Sequence, residues 1–426
     1  MHDVSDGSAQ ATLDAIKAEL CKVKEVGSAD EISQDKSGIA ITKVVSSTSD
    51  GASTQAKFNH LLKQEMGTEN EGTLVENKCA MHLGVNLRHA QVKAVADIEV
   101  NTSELDNMGE LSSDLDSEDL ESEREVTRNS EQNFSDIDLF VHEVSKLFGH
   151  LGTPEYCHGA SAFRVFLESK VRACDGEERE YFESAQKVVL ERQVGSRYYV
   201  TSYNACRIYF LQKAMLLFLK EQQMMKSLSI LESTCLKKLQ DSVILAKAKL
   251  EGLMYDNIYA DLMVLVKSSI LDKSATDMNR HYVELLEFLQ LLMEKPSVLI
   301  DCETVVFVSE PSLYSNSDKL NHRIKKCYAP VRKELYKPCL TDEPMLLPMV
   351  AAAGEAMSSK LYLPGGRYYE NANPGTQSVL SEIRPHNDTT ESVFGCNDWL
   401  CKVLPNMAQA TRTVMIEFSY KTIKWL

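Results

Sequence analysis

No stretch of about 18 consecutive apolar residues occurs in the 426-residue sequence, which excludes an ordinary membrane-spanning helix. The first ten residues, MHDVSDGSAQ, are polar and acidic, so no secretory leader is expected. Four common chemical signatures are missing. There is no Gly-rich phosphate loop ending in Lys-Ser/Thr, no Gly-x-Ser-x-Gly elbow, no His-Glu-x-x-His and no dinucleotide fingerprint. The 11 cysteines are odd in number and scattered through helix-like sequence, which reads as reduced thiols of the nucleus or cytosol. What remains is ordinary: 43% hydrophobic and 25% charged residues exclude a wholly disordered or fibrous chain. The length predicts two or three compact units, or one unit with a large insertion. No internal repeat is present.

Charge is concentrated rather than spread. Between Asp97 and Asp138 fifteen acids face two bases, Arg124 and Arg128, a local net of −13 within a total of −16. The rest of the chain is therefore nearly neutral, and the low overall pI does not argue against nucleic-acid binding elsewhere. Residues 96–135 are rich in Ser, Asp, Glu and Asn and have no aromatic residue before Phe134. They lack the apolar surface that offsets ordering entropy, so an acidic disordered loop is expected.

Hydrophobic periodicity organises the rest. Residues 9–26 carry Leu13, Ile16, Leu20 and Val23 on one helical face. Residues 39–45, IAITKVV, alternate and are β-branched, which predicts a buried strand. A helix is expected over 56–64, and 75–95 should begin extended and continue as a helix. From 136 to 296 apolar-periodic stretches follow one another (136–151, 159–173, 177–192, 203–221, 225–250, 256–270 and 278–294), and only Pro154 interrupts before Pro296. Residues 297–310 predict a strand or short helix. Further helices are expected near 318–335, 341–362 and 405–424, with turn-rich sequence over 363–375.

Five short segments could carry chemistry. Asp50, in SDGAS, follows the predicted strand; a carboxylate there can hold a divalent metal, although Asp-Gly after a strand is also an ordinary turn. Cys79 and His82 form Cys-x-x-His, half of a zinc site without a second half nearby; a buried thiol and a hydrogen-bonded histidine fit as well. Glu391, in HNDTTESVFG, falls in the first turn of a helix, where it can face a metal or simply complement the dipole. Arg197 precedes Tyr198, Tyr199 and Tyr203, a mixture that can stack on nucleic acid or form a helix-bundle corner. Arg323, Lys325 and Lys326, with Arg332 and Lys333 beyond them, make a basic face for DNA backbone, an import signal or a solvated surface.

The order of these segments resembles the RNase H-like DDE transposases with a helical insertion, in particular the hAT-like group and proteins derived from it. In that family the second catalytic Asp follows a strand, as Asp50 does. A Cys-x-x-His then precedes a helix, as Cys79 and His82 do. An Arg-aromatic segment with Ser or Thr lies in the insertion, matched by Arg197 to Ser202. The catalytic Glu follows in a Ser/Phe context, matched by Glu391, Ser392 and Phe394. The resemblance implies a transposable-element origin, DNA binding and a nuclear location. Asp50 and Glu391 would be catalytic metal ligands for Mg²⁺ or Mn²⁺, with Cys79 and His82 supporting the site or the DNA end; zinc is not expected. The family's first catalytic Asp lies on a strand hairpin well upstream of the second. Only some ten residues precede the first helix here, and Asp3 and Asp6 do not substitute, so the chain is expected to lack those strands and to be inactive as it stands.

The expected fold is thus α/β plus an all-α insertion, predominantly helical overall: a partial RNase H-like core over 1–95 and 376–426, an acidic loop over 96–135, and a helical insertion over 136–375. The alternative is a non-enzymatic helical protein that binds DNA or other proteins through its helices and acidic loop. No membrane is implied as partner.

Overall fold

The computed structural model describes residues 10, 13–14, 46–49, 53–66, 75–78, 80–106, 135–149, 158–191, 198–267, 274–301, 305–311, 328–338, 343–361 and 374–382. These are predominantly helical. The chain divides into two compact units. One gathers Met1–Leu83, Val266–Asn279 and Pro364–Leu426; the other comprises Gly84–Leu265 and Arg280–Leu363.

In the described order, strand β1 (Ser46–Ser49) leads to helix α1 (Ser53–Met66), strand β2 (Val75–Lys78) and helix α2 (Ala80–Asp106). The helices α3 (Asp136–Phe148), α4 (His158–Ala173), α5 (Gly176–Ala185), α6 (Tyr198–Met225), α7 (Ile230–Lys238) and α8 (Ser242–Met254) follow. A π-helical turn, Tyr255–Tyr259, joins α8 to α9 (Ala260–Lys267). Then come α10 (Met278–Glu294), a 3₁₀ turn (Pro296–Ile300), α11 (Ala329–Leu335), α12 (Glu343–Lys360) and α13 (Pro374–Glu382).

In the first unit β1 and β2 pair in parallel, with Ser46 opposite Val75 and Ser49 opposite Lys78. Parallel strands need a crossover connection, and α1 lies within it. Phe58 and Leu62 of α1 are buried one helical turn apart. Helix α13 packs on β2, and its Leu380 is buried with Ala275 and Val379 in a small apolar cluster.

The described strand lies just past the expected one. It occupies Ser46–Ser49, immediately after the alternating run 39–45, which lies outside the described residues. Ladder hydrogen bonds are made by the backbone, so a polar segment beside a partner strand takes the extended form irrespective of its side-chain pattern. Helix α2 also runs further than expected, through Asp97 to Asp106, well into the segment assigned to the acidic loop. Ten residues of acidic sequence thus extend a helix already nucleated, which adds hydrogen bonds without a new nucleation cost.

The second unit is organised around α8. Residues Ala246 to Met254 are all buried, so beyond its first turn this helix has no solvent face. Helix α6 lies along it. Tyr203 meets Tyr255 at 5.3 Å between ring centroids, Gly252 abuts Cys206, and Lys249 stands 5.4 Å from the Tyr209 ring. Position rises on one helix as it falls on the other, so the two are antiparallel. Helix α2 meets α8 where Arg88 and Gln91 reach Glu251, and its Val95 lines a cavity with Lys247 and Leu250. A cluster of Phe148, Phe163, Phe166, Phe182 and Phe218 joins α3, α4, α5 and α6 through edge-to-face and stacked contacts.

The stretch expected to be continuous over 225–250 is broken into two helices with separate caps. Ser229 accepts from Glu232 N–H while the Glu232 carboxylate accepts from Ser229 N–H, a reciprocal pair that starts α7. Asp241 starts α8 by accepting from the N–H groups of Val243 and Ile244.

Candidate functional site

Two of the predicted segments follow the two strands. Asp50 is the residue after β1 and Cys79 the residue after β2; both lie outside the described residues. The residues just before them, Ser49 and Lys78, are register partners. The carboxyl ends of the two strands are therefore side by side, where ligands bind in open α/β sheets. His82 lies in the first turn of α2 and is half-buried. Helix α13, packed on β2, ends nine residues before Glu391 in the sequence; Glu391 itself lies outside the described residues. Arg197, Arg323, Lys325 and Lys326 also lie outside them. Among the described residues no group of three or more His, Cys, Asp or Glu side chains could hold a metal ion. No described helix is long and apolar enough to cross a membrane.

The Arg-aromatic segment resolves in part. Every residue from Val200 to Cys206 is buried in α6, so Tyr203 is not a platform for bases. The Arg207 guanidinium covers the Tyr203 ring at 3.8 Å and donates to the Val189 carbonyl. Beyond the basic run, Arg332 is committed to the buried Asp256 at 2.8 Å. Tyr336 donates to the same carboxylate and accepts from Asn257, so the π-helical turn is tied to α11 and the residue after it. Lys333 is exposed.

Among the described residues, a buried polar constellation around Arg88 was not singled out by any sequence motif. Arg88 donates from Nε to Glu251 Oε2 at 3.1 Å and from Nη2 to Asp138 Oδ1 at 2.6 Å. Ser202 Oγ donates to Glu251 Oε2 at 2.6 Å, and Gln91 Nε2 to Glu251 Oε1 at 2.9 Å. The Gln91 carbonyl in turn accepts from Tyr259 OH at 2.6 Å. Side chains of α2 and α6 thus converge on the α8 carboxylate, and Asp138 of α3 and Tyr259 of the π-helical turn join the network through Arg88 and Gln91. Burial alone would lower the Arg88 pKa, yet Glu251 and Asp138 hold it above its ordinary value, so the guanidinium stays charged. The available signal was an arginine inside an apolar stripe, Leu83, Leu87, Arg88, Gln91 and Val95, all buried. A cavity of about 180 Å³ adjoins the cluster, lined on its polar side by Gln91, Ser135, Asp136, Lys247 and Glu251.

A second constellation has the composition of a nucleophilic relay without its geometry. Ser309 Oγ and Glu284 Oε2 both approach His281 Nδ1, each at 3.3 Å, and Ser309 Oγ lies 2.9 Å from Glu284 Oε2. A relay needs serine and acid on opposite ring nitrogens. Here Glu284 instead fastens the 305–311 turn, accepting from Ser309 N–H at 2.7 Å.

Comparison with protein-family models, with characterised proteins and with solved structures gives no match to this chain.

Proposed function

We propose that this chain is a transposase-derived nuclear protein that binds DNA, built on an RNase H-like α/β core with a large helical insertion. The observation that supports the reading is the register of Ser49 with Lys78, which brings the carboxyl ends of β1 and β2 side by side. The sequence order of Asp50, Cys79 with His82, Arg197 and Glu391 supplies the family resemblance. Asp50 and Glu391 offer hard oxygen donors that suit Mg²⁺ or Mn²⁺ rather than zinc. Such an ion, when bound, polarises a phosphoryl oxygen and activates water for strand cleavage and transfer. The contribution of the chain's own residues is to hold carboxylates at the strand end and to place cations, Arg197, Arg323, Lys325 and Lys326, for the DNA backbone.

The test is binding of the purified chain to DNA duplex ends across a salt series, with cleavage scored in Mg²⁺ and Mn²⁺. Binding should weaken steeply with salt, and charge reversal at Arg197 and at Arg323, Lys325 and Lys326 should weaken it further and flatten the salt slope. Folded protein that ignores DNA at low salt would refute the proposal. Any cleavage should be lost in both Asp50→Ala and Glu391→Ala; cleavage that survives either change removes that residue from the metal site.

A second reading, a helical protein-interaction module, is favoured by one surface feature. Met224, Met225 and Ile230 are 86%, 70% and 77% exposed within seven residues at the corner between α6 and α7. Under that reading Met224→Ser with Met225→Ser should abolish partner binding and leave DNA affinity unchanged.

A further inference from the structure

The buried constellation around Arg88 ends, toward the surface, in a hydroxyl. Ser135 caps α3: its Oγ accepts from Asp138 N–H at 3.2 Å and donates to Asp138 Oδ2 at 2.7 Å. The other oxygen of that carboxylate holds Arg88. One side-chain bond therefore separates Ser135 from the charge pair on which α2, α3, α6 and α8 converge. Ser135 is partly exposed, and Asp136 beside it is 74% exposed. The cavity of about 180 Å³ lies against both, giving the hydroxyl room on one side.

The sequence Ser135-Asp136-Ile137-Asp138 places carboxylates one and three residues after the serine. Kinases select substrates by charge pattern, and a basic substrate groove favours this one. We propose that Ser135 is a phosphoacceptor for an acidic-directed protein kinase, and that phosphate there releases α3 from Arg88. In the step, Ser135 Oγ attacks the γ-phosphorus of ATP. The new O–P bond forms as the bond to the bridging oxygen breaks, ADP leaves with that electron pair, and the hydroxyl proton passes to the kinase's base.

The consequence follows from charge and hydrogen-bond counting. Esterified Oγ carries no hydrogen, so its bond to Asp138 Oδ2 is lost. The cluster already sets two cations, Arg88 and Lys247, against three carboxylates, Asp136, Asp138 and Glu251. A phosphate adds roughly two further negative charges beside them. Arg88 is already shared between Glu251 and Asp138 and cannot satisfy a third anion without giving one up. Glu251 is retained by Ser202 and Gln91 on helices of the same packed core. Among the described contacts, the Asp138 carboxylate is held besides Arg88 by the Ser135 hydroxyl, whose bond esterification removes, so it is the partner displaced, and the first turn of α3 goes with it.

The experiment uses the full chain, an acidic-directed kinase with ATP, site-resolved mass spectrometry and amide hydrogen exchange. Phosphate should appear on Ser135, and exchange over residues 88–95 and 136–141 should become at least about tenfold faster. Ser135→Ala should block both effects, and Ser135→Thr, which keeps a cap and an acceptor hydroxyl, should restore them. Phosphate confined to serines before residue 131, or phosphate on Ser135 with unchanged exchange over those two segments, overturns the proposal.

Discussion

Arg88 and Glu251 stand 163 positions apart in the sequence and meet at 3.1 Å, with both side chains sealed from solvent. Both residues belong to the second unit, where the pair ties α2 to α8. It is surrounded by hydroxyl and amide donors, so neither charge is left without hydrogen bonds. Desolvating two ions is costly, and such a pair adds little stability over an apolar pair of similar volume. Its value lies in selecting one register of the helices, because any slip strands a buried charge.

Removing one partner should therefore do far more harm than removing both. Arg88→Met should lower unfolding free energy by about 3–5 kcal/mol, leaving Glu251 buried without its cation. Arg88→Met combined with Glu251→Leu and Asp138→Asn should recover most of that loss. Urea unfolding of the two variants measures the difference, and equal losses would refute the argument.

Close approach of α6 and α8 rests on Gly252. A Cβ there would stand 2.8 Å from Leu335 Cδ1 and 3.0 Å from Cys206 Cα. The leucine tip can rotate away, but the Cys206 backbone cannot without separating the helices. Gly252→Ala should cost roughly 1–3 kcal/mol despite the better helix propensity of alanine. An unchanged melting temperature would show that the helices separate freely.

The cap of α7 is a source of acid sensitivity. Burial pushes the Glu232 carboxyl up. The N–H and hydroxyl of Ser229, with Lys226, outweigh that and hold it below the ordinary carboxylate value. A carboxylate depressed by folding contributes stability above its unfolded pKa of about 4.3 and loses it as pH falls through the lower folded value. Exchange protection in α7 should be constant from neutrality to about pH 5 and fall below about pH 4. Glu232→Gln should abolish that acid-side step; persistence of the step in the variant would assign it to another group.

Much of the helical architecture was legible in local pattern. Apolar spacing over 278–294 coincides with α10, Met278–Glu294, because a strong 3.6-residue period over four turns leaves one face to bury. The start of α3 at Asp136 was equally readable, since a serine precedes two acids and an apolar stripe. The break between α7 and α8 was less so. The apolar stretch expected over 225–250 runs across it, and the cap at Asp241, accepting from Val243 and Ile244 N–H, decides that the chain restarts there.

The sequence alone determined most of the helices of the second unit, where the acids concentrate, and the order in which Asp50, Cys79, Arg197 and Glu391 occur. These are local properties, written in periodicity, composition and spacing. Tertiary structure decided the rest: that Ser49 and Lys78 are partners, that the polar segment Ser46–Ser49 is extended, and that Tyr203 faces a core. It also decided that Arg88 finds Glu251. Those outcomes depend on which distant segments meet, and a charged or polar residue reveals its partner only when both have left water.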